Sequence, residues 1–169
     1  GGGAGGILIR KVSLTQGSYP SVLGKAVENS NGEDSSFLNY VRIGGGSGGA
    51  SASDGSAGAS GGGGGGKSMS RYFGGEGIEG QGYRGGNSIG SPSGYYTGSP
   101  AQNAYESNGV KPSIPGDGVE FLGKYYSGGG SGWNGYSGVL VNNPGLGQEN
   151  YGGGGNSRES GRDGALLIR

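Results

Sequence analysis

The chain has 169 residues, twelve Lys/Arg against twelve Asp/Glu for a formal net charge of zero, and 49 glycines. Neutrality removes the electrostatic case for nucleic acid or an anionic membrane. The absence of cysteine and histidine excludes disulfides, thiolate sites and imidazole chemistry.

Leu, Ile, Val and Phe together make up about one residue in six, below the usual level for an apolar core, yet the high net charge of a disordered chain is missing. Glycine shows no three-residue period and there are only six prolines, so a collagen-type triple helix fails. No apolar run reaches membrane-spanning length and no signal peptide is present. The asparagines include no N-x-Ser/Thr sequon, which argues against a glycosylated secreted protein. The start at Gly1 is expected of a processed or excised chain. The length suits one domain.

In chain order, Gly1–Gly6 feeds into Ile7-Leu8-Ile9-Arg10-Lys11-Val12-Ser13-Leu14, a β-branched and apolar run that predicts a strand. Thr15–Ser18 reads as a turn and Tyr19–Leu23 as the return strand, with Pro20 favouring an edge. Lys25–Ser35 is polar and turn-prone. Ser36–Ile43 is a third predicted strand, with Phe37, Val41 and Ile43 on one face. Tyr19 and Tyr40, inside strands, are read as packing residues.

Residues 44–66 contain nothing larger than Asp54 and nothing more apolar than alanine. Two readings stand. Such a segment is a flexible linker by composition, or its glycine tracts form polyproline-II-type helices that satisfy one another's outward N–H and C=O groups. In the second reading only glycine allows the close approach, and Gly61–Gly66 would span roughly 19 Å at about 3.1 Å per residue. The tract is expected to be framework, so that Gly63→Val acts as a core mutation.

From Lys67 to Gly116 glycine alternates with aromatic and polar residues, and no periodicity persists, which predicts loops on a scaffold. Val119–Leu122 and Val139–Val141 are short strand candidates. Asp163-Gly164 turns into a closing strand, Ala165–Arg169. The predicted fold is mostly β and irregular. A small β-sheet or sandwich framework joins a bundle of polyglycine-II helices, with essentially no α-helix, since glycine opposes one at about 1 kcal/mol per residue. One glycine-rich domain, 1–169, would comprise a strand framework (1–43 and 150–169), a glycine lattice (44–66) and an aromatic loop region (67–149).

Chemical motifs are few. Gly61-x-x-x-x-Gly66-Lys67-Ser68 matches the phosphate-binding loop, but that motif works only between a buried strand and a helix N-terminus. Gly75-x-Gly77-x-x-Gly80 fits the dinucleotide pattern and fails for the same reason. The carboxylate pairs Glu76/Glu79 and Glu33/Asp34 lack an apolar setting that would raise a pKa. No catalytic residue, cofactor or metal site is assigned; calcium at Asp54, Asp117 or Asp163 has no supporting pattern. The sharper candidates are aromatic: Tyr83, Tyr95, Tyr96, Tyr105, Trp133 and Tyr136, set among glycine and serine as in antibody combining sites. They either bind a partner or cover the glycine lattice.

Several pieces together resemble the glycine-rich domain of bacteriophage tail fibre and tail-tip adhesin proteins. They are Gly1–Gly6, then Leu14-Thr15-Gln16-Gly17-Ser18-Tyr19, Ser35-Ser36-Phe37, Gly44–Gly46 with Gly61–Gly66, and Asp163-Gly164-Ala165-Leu166-Leu167-Ile168-Arg169. The resemblance covers roughly 1–66 and 150–169. It implies a polyglycine-II bundle whose distal loops contact a bacterial surface protein or glycan, on a virion. It also implies a first strand supplied by an upstream fibre segment or a neighbouring subunit, with a homo-oligomer possible in principle. Two departures stand out: that strand precedes Gly1 in the family, and Lys25–Asp34 is poorer in glycine. The resemblance implies neither nucleic acid nor membrane insertion. The alternative reading is a self-assembling subunit of an extracellular filament, with an ice-binding surface a distant third.

Overall fold

A computed structural model describes residues 1–66, 70–89, 115–132, 150–156 and 159–168. Among them there is no helix, and seven short strands make three antiparallel sheets. The first sheet has the order β1-β2-β3, from Ser21–Val22, Ser35–Phe37 and Tyr40–Arg42. β4 (Arg71–Tyr72) pairs with β5 (Ser88–Ile89), and β6 (Val119–Phe121) with β7 (Lys124–Tyr126).

Much of the remaining described backbone is a lattice, and its bonding has a period of three. Along residues 60–65 every backbone N–H is donated to another segment. Ser60 and Gly63 donate to Ala4 and Gly1; Gly61 and Gly64 donate to Tyr83 and Gly86; Gly62 and Gly65 donate to Ser56 and Ser53. Residues i and i+3 share a neighbour, and the three intervening directions go to three different neighbours. That is the signature of a helix with three residues per turn and no internal hydrogen bonds. Tract 1–6 repeats it: Gly2 and Gly5 donate to Gly155 and Gly152, and Gly3 and Gly6 donate to Gly46 and Ile43, at 2.8–3.0 Å.

This lattice is the core. Residues 58–65 are all buried, while the buried apolar side chains among the described residues are no larger than those of Ala4, Ala59 and Pro115. Backbone takes the place of side chains at its centre because nothing larger fits. A Cβ on Gly61 would fall on the Gly75 carbonyl oxygen, and one on Gly62 on that of Ser47. The helices are close enough for Cα–H···O contacts as well as N–H···O bonds. The framework reading of 44–66 therefore holds, and the lattice extends beyond it, drawing in 1–6, 73–76, 83–86, 128–130 and 152–155.

Two modules of the chain repeat each other. Ser35–Gly46 and Val119–Gly130 align without a gap: two residues, then Phe-Leu, five more residues and three glycines. Each forms a three-residue hairpin strand, a two-residue loop and a second three-residue strand in the same register, with Phe37 opposite Tyr40 and Phe121 opposite Lys124. The loop leucines both adopt the left-handed conformation, Leu38 at φ 55° and Leu122 at φ 53°. Gly123 follows at φ 76°, so the second loop has the paired positive φ of a type I′ turn.

Both hairpins stand at one end of the lattice. Antiparallel bonding of 1–6 against 43–46 and 152–155 brings Gly6, Ile43 and Gly152 together there, and Ser127 N–H bonds Tyr151 O at the same level. The opposite end holds Gly1, Gly49, Gly64 and Gly86, with β4 and β5 beyond them; Ser88 Oγ–H bonds Gly65 O at 2.6 Å.

Several strand expectations need correction. Ile7–Leu14 pairs with no strand, and its side chains from Ile9 onward are exposed. Ala165–Ile168 is likewise unpaired. Ser36–Ile43 is a hairpin, β2 and β3, because the chain reverses at Leu38-Asn39. The return strand shrinks to β1, and Val119–Leu122 to β6. Strands pair with their sequence neighbours in three separate sheets. Tyr19 does pack, with its ring centroid 6.4 Å from that of Phe37 at a 58° tilt. The candidate strand Val139–Val141 lies outside the described residues.

Candidate recognition surface

Of the six aromatic candidates, Tyr83 is described; Tyr95, Tyr96, Tyr105, Trp133 and Tyr136 lie outside the described residues. Tyr83 is fixed by its backbone: its carbonyl accepts from Gly61 N–H at 2.9 Å, and its N–H reaches Ser60 Oγ at 3.5 Å. The lattice thus holds the main chain and leaves the ring exposed.

A second aromatic, which sequence reading did not single out, has a more elaborate setting. Phe73 is 46% exposed, and the guanidinium groups of Arg71 and Arg84 stand 5.2 and 5.9 Å from its ring centroid. Both distances are within reach of cation–π attraction, worth about 0.5–1 kcal/mol at an exposed site. The anchoring is again polar. Phe73 N–H donates to Asp54 Oδ1 at 2.7 Å, and its carbonyl accepts from Gly55 N–H at 2.8 Å. Asn87, 2% exposed, accepts from Gly74 N–H at 3.0 Å and from Arg84 Nη2 at 3.1 Å, tying the arginine to the lattice. Arg84 Nε also stands 3.0 Å from Glu76 Oε1, an ion-pair contact without hydrogen-bond geometry. At this exposure the pair contributes little stability. Its effect is to orient the guanidinium.

The signal was present in the sequence. Arg71-Tyr72-Phe73-Gly74-Gly75 and Tyr83-Arg84-Gly85-Gly86 each place a guanidinium next to a ring just ahead of a glycine pair. In a bonded lattice the glycine pairs fix the level of what precedes them. A rigid aromatic face with flanking cations and an adjacent carboxylate can stack on a planar or ring-shaped group and hydrogen-bond its polar rim.

The phosphate-loop match has a different fate. The N–H groups of Gly61 through Gly65 are all committed to lattice carbonyls, so none of these five is left for a phosphate. Gly75 N–H is similarly given to Gly62, and Gly80 sits at φ 75° in a turn with no helix after it. Among the described residues no group of three acidic, His or Cys side chains could hold a metal ion. Comparison with family models, curated proteins and solved structures returned no match.

Proposed function

We propose that this chain is a non-enzymatic structural and receptor-binding module of a bacteriophage tail fibre. The glycine lattice is its rigid scaffold, and its aromatic side chains contact a protein or glycan of the bacterial surface. The observation that carries this reading is the pairing of a backbone core with exposed rings whose main chains are hydrogen-bonded into it, as at Phe73 and Tyr83. Rings held this way lose little entropy on binding, which is how rigid aromatic anchors contribute affinity. A chain without His or Cys fits a role that needs no catalysis.

The test is adsorption to host cells. Alanine at Tyr83, Tyr95, Tyr96, Tyr105, Trp133 and Tyr136, singly and together, should cut binding at least about tenfold for the hot-spot positions while the melting temperature holds. Undiminished adsorption by the combined variant would overturn the receptor-binding half.

A second reading, a self-assembling filament subunit, is favoured by the hairpin end, where Ile9, Val22, Leu38, Leu122, Leu167 and Ile168 are all exposed. Electron microscopy of the purified protein separates the two. Filaments at neutral pH support assembly, and discrete particles support the adhesin.

A further inference from the structure

Beside tract 1–6 the lattice has an open position. A groove of about 400 Å³ runs between Gly1–Gly6, Gly44–Gly49, the loop 24–33 and the segments 152–156 and 159–164. Elsewhere the neighbours of these tracts are other backbone segments; here, among the described residues, there is none. The glycines on its floor keep the lattice period. Gly2 and Gly5 on one wall, and Gly45 and Gly48 on the other, are half-buried while Gly3, Gly44, Gly46 and Gly49 are buried.

The bonding is open at the same positions. Among the described residues the N–H groups of Gly45 and Gly48 have no partner, and the carbonyls of Gly5 and Gly48 accept no hydrogen bond. Gly45 and Gly48 stand three residues apart, on the period of the lattice, and an unmade backbone bond in a partly buried setting is unfavourable. Space is open too. A Cβ at Gly5 would meet nothing closer than 3.7 Å, and one at Gly32 nothing closer than 3.6 Å, whereas at Gly3 or Gly61 it would collide with backbone.

We propose that this groove binds an extended, glycine-rich peptide segment of a partner, which completes the lattice as one more polyglycine-II helix. The occupant is defined by the groove. It has to supply both N–H and C=O groups on a three-residue period and present glycine toward the floor at the spacing of the other tracts. It should be neutral, because Lys25, Arg42 and Arg162 balance Glu28, Glu33 and Glu159 along the groove. Six residues cover the length of tract 1–6, roughly 19 Å. Serine or alanine every third residue is compatible, since that position faces outward. The mode parallels strand addition to a sheet edge, with a glycine helix in place of the strand.

The experiment uses the whole chain and a blocked Gly-Gly-Ser-Gly-Gly-Ser-Gly-Gly peptide, followed by amide resonances. Saturable shifts at Gly5, Gly45 and Gly48 are expected. Gly5→Val, which projects into the groove, should weaken binding at least tenfold, and Gly5→Ala should weaken it less, with melting temperature unchanged in the alanine variant. Hexaproline forms the same helix without N–H donors and should not bind. The proposal is overturned if the glycine peptide causes no shifts at millimolar concentration, if hexaproline binds equally, or if Gly5→Ala and Gly5→Val, both folded, bind as wild type. None of these readouts depends on adsorption to cells.

Discussion

The lattice and the hairpin end of this molecule solve stability in opposite ways. At the lattice centre eight consecutive residues are buried with hardly a side chain among them, and every one of their N–H groups is donated to a neighbouring segment. At the hairpin end side chains of high apolarity stand in solvent: Leu122 is 63% exposed and Ile168 67%. An ordinary domain puts its leucines inside and its glycines at the surface. The inversion teaches that what must be buried is decided by unsatisfied polar backbone as much as by apolar area. A bonded glycine bundle can meet that need alone.

The largest test of this contrast is a methyl group. Gly61→Ala or Gly62→Ala adds a single carbon at the centre and should cost about 4 kcal/mol or more, enough to prevent folding at 37 °C, because the neighbours are backbone and cannot yield. Leu167→Ser at the hairpin end removes far more apolar volume and should change stability by no more than about 0.5 kcal/mol. Urea unfolding of the two variants checks the pair, and equal losses would erase the distinction between the regions.

Next in size is Asn87→Ala. It leaves the buried Gly74 N–H without an acceptor and should cost about 1–3 kcal/mol. The same change should free Arg84, seen as faster side-chain motion by nuclear relaxation. Hydrogen exchange sharpens the comparison further. Amides of 59–65 should exchange only by global unfolding, and those of Ile7–Leu14 at nearly unprotected rates. The smallest effect is a gain. Leu122→Asn relieves a left-handed leucine ahead of Gly123 and should stabilise by about 1 kcal/mol, raising the melting temperature by a few degrees.

Much of the lattice was legible from residues. Gly61–Gly66 and Gly1–Gly6 are long enough to declare themselves, and the collisions a Cβ would make explain why Gly61, Gly62, Gly64 and Gly65 are glycine. The short contributors were not legible. Gly74-Gly75, Gly85-Gly86 and Gly128–Gly130 look like loop punctuation until their partners are known, so 67–149 read as an aromatic loop region with two short strand candidates. The strand expectation failed at Ile7–Leu14 because strand preference reflects pairing and half-burial, and this segment has neither. The hairpin at Leu38 was hidden by its turn residue, since leucine is a rare choice for positive φ. Its copy at Leu122 was visible as a spacing repeat, Phe-Leu followed after five residues by three glycines, and would have exposed both turns.

A core built of backbone carries a calorimetric consequence. Unfolding an ordinary domain raises the heat capacity by about 12–15 cal/mol/K per residue, because newly wetted apolar surface outweighs polar surface, whose hydration lowers it. Here the surface released from 58–65 and its neighbours is chiefly amide, so the increment should fall well below that range. A small increment flattens the dependence of stability on temperature. The domain should lose little of its stability on cooling, and scanning calorimetry at several pH values would read this directly as a shallow slope of unfolding enthalpy against melting temperature.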